Sequence, residues 1–158
     1  MGAHSNLGVF SDAQEISAAG YSTNFIDMAV TTPQIGVGKP LYLCIRTAVA
    51  PTEAADTISI ELQCSATNDG SNLDGTVKTV MMIADAAGSE ITVSDARFAT
   101  AGAWIYRGTI PYECNLRYVQ LYYNNSTSTG TCTYDAWLDD KPQSDFGVQV
   151  TDSPVGNP

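Results

Sequence analysis

A single histidine, seven basic residues against seventeen acidic ones, and no apolar run of membrane-spanning length set the first limits on this chain of 158 residues. With only His4, close to the amino end, Ser-His-Asp or Cys-His nucleophilic machinery would have to be recruited from a terminus, and no catalytic set is expected. A formal charge of -10 argues against a surface that binds nucleic acid, because that binding depends on Lys and Arg neutralising phosphates. A bilayer needs about 20 consecutive apolar residues, and their absence excludes a helical span. Met1 to Asn6 lacks the basic and apolar segments of a secretory leader, so export through a secretory signal is not expected. Cys44, Cys64, Cys114 and Cys132 include no close pair of the Cys-x2-Cys kind, which leaves neither a zinc motif nor a convincing disulfide framework; buried reduced thiols are the expectation. Also missing is any sustained 3.6-residue apolar stripe. Residues 11–19 could make a turn or two of helix at most.

What remains is a succession of strand patterns. Thr57 to Ser65 puts Ile58, Ile60, Leu62 and Cys64 on one face and polar residues on the other, the mark of a half-buried strand. Leu41 to Thr47 aligns Leu41, Leu43 and Ile45. Val77 to Ile83, Ala103 to Ile110, Leu116 to Tyr123 and Thr131 to Leu138 are further runs of strand length rich in β-branched and aromatic residues. Turn residues separate them: Gly36, Gly38 and Pro40, then Asn68 to Asn72, Asp74-Gly75, Ala87 to Ser89, Ala101-Gly102 and Asn124 to Gly130. About seven or eight strands without intervening helices predict an all-β antiparallel jelly roll, a β-sandwich of one domain with extended termini. The expected division is an amino-terminal arm over 1–14, a jelly-roll domain over 15–141 and a carboxy-terminal tail over 142–158. Both ends carry apolar residues that could order on a partner by strand addition or apolar docking.

Several patterns invite chemistry and do not carry it far. Asn68 to Asp74 is oxygen-rich but lacks the later bidentate Glu of a calcium loop, so it reads as a turn. Gly36-Val37-Gly38 is too short for a dinucleotide fingerprint and precedes a strand. Asp139 and Asp140 are neighbours on a strand end and point apart. No cofactor and no metal are expected. Trp104, Trp137 and the eight tyrosines could stack on sugar rings, which makes a carbohydrate- or receptor-binding β-sandwich the rival to a purely structural role.

Leu7 with Phe10 to Gln14, Gly36-x-Gly38-x-Pro40 to Leu43, Ile60-x-Leu62-Gln63-x-Ser65, Leu116 to Val119 with Leu121 and Tyr123, and the Thr131 to Leu138 run stand in an order and spacing that resembles the jelly-roll cement proteins of tailed-phage heads, the Bordetella-phage type. The likeness runs over about residues 7 to 140 and does not extend to the tail or account for the four cysteines. It implies a decoration protein without catalysis, sitting on the outer surface of the capsid and bridging major capsid proteins, itself a homodimer or homotrimer. Contact with the capsid or with a second copy would fall to Leu7, Val9 and Phe10 of the arm and to Phe146 and Val148 of the tail. Arg97, Arg107 and Arg117 could each reach a carboxylate across a subunit boundary.

Overall fold

The structure, a computed structural model, describes residues 8–29, 40–53, 56–84, 88, 90–93, 95–125 and 130–139. The strands in chain order are β1 (Val9–Ile16), β2 (Gly20–Tyr21), β3 (Ile26–Asp27), β4 (Tyr42–Val49), β5 (Thr57–Ser65), β6 (Thr67–Asn68), β7 (Leu73–Asp74), β8 (Lys78–Ile83), β9 (Ile91–Thr92), β10 (Trp104–Thr109), β11 (Tyr118–Asn125) and β12 (Cys132–Asp139). A four-residue helix, α1 (Ala96–Ala99), precedes β10. One sheet, sheet A, runs β1-β12-β4-β10; the other, sheet B, runs β2-β11-β5-β8, with β3 also on β11 and β9 also on β5. All of these pairings are antiparallel. Because β2 and β3 lie along the same edge of β11, and β8 and β9 along the same edge of β5, each pair counts as one interrupted strand. Eight strands then divide between the sheets as first-eighth-third-sixth and second-seventh-fourth-fifth, which is the jelly roll expected from the sequence.

The strands follow from alternation. On β4, Leu43 and Ile45 enter the core while Tyr42, Cys44 and Arg46 face outward; on β12, Tyr134 and Ala136 point in while Asp135 and Trp137 point out. Ile58, Ile60, Leu62 and Cys64 of β5 meet Val119, Leu121 and Tyr123 of β11 within the core, all without exposure. Tyr123 of sheet B stacks on Tyr134 of sheet A, centroids 5.4 Å apart, and Phe98 from α1 meets the edge of Tyr134, so aromatic rings join the two layers. All four cysteines are free and buried. Cys114 shares a hydrogen bond with Cys64, and that bond together with burial pushes the Cys114 thiol up.

The beginning of the domain needs correcting. Residues 9–14, placed in an arm, and residues 11–16, read as a possible short helix, form β1, which pairs along β12. Two register shifts, between Val9 and Ser11 and between Ser11 and Gln14, break the period of two that would have marked the strand. Ala13 sits at φ 45°, a left-handed backbone that costs a non-glycine residue about 1–2 kcal/mol, and its N–H is held by Asp135 Oδ1 at 2.7 Å. The first bulge also turns Phe10 into the core, where it has no exposed surface. Ser11 is buried beside it and donates to Gln14 Oε1 at 2.7 Å. Its single proton being so used, the 2.8 Å contact with Tyr123 must run from the tyrosine O–H to Ser11 Oγ.

The outward face of β5 is also less exposed than its polar side chains suggest, since Ser59, Gln63 and Ser65 are buried. The β6–β7 hairpin folds across that side. Gln120 of β11, fully buried, accepts from the Leu73 N–H at 2.9 Å and donates to the Ser22 carbonyl at 2.9 Å, tying the hairpin and the β2–β3 connection to the sheet.

Candidate functional site

The exposed side of sheet A gathers residues that are far apart in sequence. Cα partners across β10, β4, β12 and β1 define two rows. Arg107 pairs with Cys44, Cys44 with Trp137 and Trp137 with Val9; next to it, Trp104 pairs with Arg46 and Arg46 with Asp135. A register shift between Trp104 and Tyr106 keeps both Trp104 and Arg107 on the outer side of β10. The result is a cluster of two tryptophans and two arginines. The indoles of Trp104 and Trp137 have centroids 5.7 Å apart at 54°, the Arg46 guanidinium lies 5.8 Å from the centre of Trp137, and that of Arg107 lies 5.6 Å from the centre of Trp104.

The two arginines differ in their neighbours. Arg46 is locked: its Nε and Nη2 both donate to Asp135 Oδ2 at 2.8 Å, and the other oxygen of Asp135 holds the Ala13 N–H. Arg107 is exposed and meets no carboxylate among the described residues; its contact is the Trp104 ring. Cys44 lies within the first row, between Arg107 and Trp137, with no exposed surface, and burial pushes its thiol up to about 12, with Asp139 adding to the shift and Arg107 opposing it.

The residues singled out in the sequence separate into three groups. Val9 and Arg107 fall at opposite ends of one row on this face. Phe10 is withdrawn into the core, a correction to its expected role in docking, because the bulge at Val9 rotates it inward. Arg97 and Arg117 lie elsewhere and are matched within the chain. Arg97 Nε is 3.0 Å from Asp95 Oδ1 beside α1, and Arg117 Nε is 2.8 Å from Asp27 Oδ1 at the β3 edge of sheet B. The Arg117 side chain, with the Ala29 N–H, holds the Asp27 carboxyl below its ordinary value, and the Arg97 side chain and N–H do the same for Asp95. Leu7, Phe146 and Val148 are outside the described residues.

Tyr42, Cys44 and Arg46 were not picked out as site residues. Their alternation opposite Leu41, Leu43 and Ile45 was the available signal, but it could not say which strands would lie beside them. The indoles do not form the open platform that a sugar ring requires, since Trp137 is only 4% exposed. The oxygen-rich loop proves to be a turn: Asp69 Oδ1 accepts the Ser71 and Asn72 N–H groups, and Asn68 Oδ1 accepts that of Gly70.

A family model named Bbp16 matches residues 10–137, from within the first strand to within the last. The chain belongs to the Bbp16 family. Bbp16 is a Bordetella phage protein name, which makes this a phage protein family. The Bbp16 match takes in every residue of the Trp104, Trp137, Arg46 and Arg107 cluster. No curated protein matches the chain.

Proposed function

We propose that the chain is a virion structural protein that decorates and cements the outer surface of a phage head by bridging neighbouring major capsid proteins. Membership of the Bbp16 family across nearly the whole jelly roll is the observation that carries the reading. The resemblance of the strand motifs to the cement proteins of tailed-phage heads agrees with it. A sandwich whose two layers are joined by a stacked Tyr123–Tyr134 pair offers broad, stiff faces suited to spanning a seam between subunits. Bridging multiplies modest contacts: once one face is attached, the second contact forms at high effective concentration, and the subunit persists without a tight interface. Copies of the chain would associate with each other as dimers or trimers on the shell.

Mass spectrometry and gel densitometry of purified heads test this directly. The chain should be present at a copy number comparable to that of the shell protein. Recovery only with tails, or only in free lysate, would overturn the reading.

A further inference from the structure

The basic residues of the described chain are nearly all accounted for. Arg46, Arg97 and Arg117 have carboxylates of their own at 2.8, 3.0 and 2.8 Å, and Lys78 donates to the Glu113 carbonyl at 3.2 Å. In a chain with seventeen acidic residues against seven basic ones, an exposed arginine without a carboxylate is the exception, and Arg107 is that exception among the described residues. We infer that the Arg107–Trp104–Arg46–Trp137 face of sheet A is the surface that meets the shell, and that its occupant is a carboxylate-bearing patch of the major capsid protein. The inference rests on the cement reading and names the face and the chemistry that would serve it.

Three observations converge on this face. The Arg107 guanidinium lies over the Trp104 ring, 5.6 Å from its centre, and meets no carboxylate among the described residues, so its forked donors are available to a planar acceptor such as a carboxylate. Its support is rigid: Trp104 leans on Trp137, Trp137 lies under Arg46, and Arg46 is clamped by Asp135, which is itself bound to β1. A guanidinium held in place before contact gives up less freedom on binding than one on a free side chain. Tryptophan, tyrosine and arginine are also the residues enriched where interfaces concentrate their energy, and Tyr42 stands next in line on β4. A second copy is the poorer occupant. A second copy would bring one charge of -10 against another, and the Asp135 carboxylate that this face carries is already engaged by Arg46 and the Ala13 N–H.

The full-length chain, its Arg107→Glu variant and a Lys78→Glu variant with the same change of charge on β8 are titrated onto undecorated heads, and bound protein is measured after sedimentation. Arg107→Glu should weaken attachment at least tenfold at unchanged melting temperature, Lys78→Glu less than twofold, and wild-type attachment should weaken as salt is raised. Attachment of Arg107→Glu within twofold of wild type, or equal losses in both variants, would overturn the assignment of the face. Loss of a self-associated species in analytical ultracentrifugation with head binding intact would give the patch to a second copy and overturn it as well. A wild-type chain that does not bind heads at all would remove the cement reading itself, and this inference with it.

Discussion

Leu62 is the most direct probe of the sandwich. It has no exposed surface, and in the middle of β5 it pairs with Leu121 on one side and Met81 on the other. Truncation to Ala removes three carbon-sized groups from the interior, about 2.4 kcal/mol of lost transfer at about 0.8 kcal/mol each. Both flanking strands are held in hydrogen-bonded ladders, so the gap cannot close, and the cavity raises the total to about 3–4 kcal/mol. Against the 5–15 kcal/mol typical of a domain this is a large share. For a chain of this length it corresponds to a melting temperature lower by about 6–16 °C. Urea unfolding of Leu62→Ala should show the midpoint shift at unchanged slope. Met82→Ala, on β8 and 47% exposed, is the reference and should cost less than about 1 kcal/mol. If Leu62→Ala cost less than about 1 kcal/mol, or no more than Met82→Ala, the facing of β5 toward the core would be wrong.

Tyr123→Phe should cost about 1–2 kcal/mol in the same assay, since it removes the donor to buried Ser11 Oγ while keeping the stack on Tyr134; a cost near zero would mean that Ser11 finds another donor. Stability should also fall in alkali. Burial raises the Cys44 thiol from 9.0 to about 12 and raises the phenols of Tyr123 and Tyr134 above 10.0, so the folded state favours their protonated forms. Their contribution is complete below the unfolded-state values, and that of Cys44 is lost as pH rises from 9 to 12. The urea midpoint should decline over that range, less steeply in Cys44→Ala, and an unchanged midpoint would refute the burial argument.

Much of the fold was legible because β4, β5, β8, β10, β11 and β12 carry their own evidence in alternating or β-rich runs. Two bulges hid β1, since Val9-Phe10-Ser11-Asp12-Ala13-Gln14 shows no period of two, and the interrupted strands β2 and β3 are too short to show one. Burial of Gln63, Ser65 and Gln120 was illegible for a different reason: these side chains look like solvent residues, and it is the tertiary placement of the β6–β7 hairpin that encloses that side. The site was half legible. Arg107 and Val9 were named, and Trp104 and Trp137 noticed, but their meeting with Arg46 depends on the order β12-β4-β10, which no local pattern encodes.

That strand order also has a consequence in time. The last of the described strands in chain order, β12, is interior to sheet A, where it separates β1 from β4, and the one before it, β11, is interior to sheet B. Sheet B cannot close around its middle until the chain has been synthesised to about residue 125, nor sheet A until about residue 139. The pairing of β1 with β12 joins the two ends of the described chain, and such distant contacts place folding in the range of milliseconds to seconds. A nascent chain therefore carries β1 and β4 with open edges for most of its synthesis, and loss of the final strand would leave an unpaired precursor rather than a smaller sandwich.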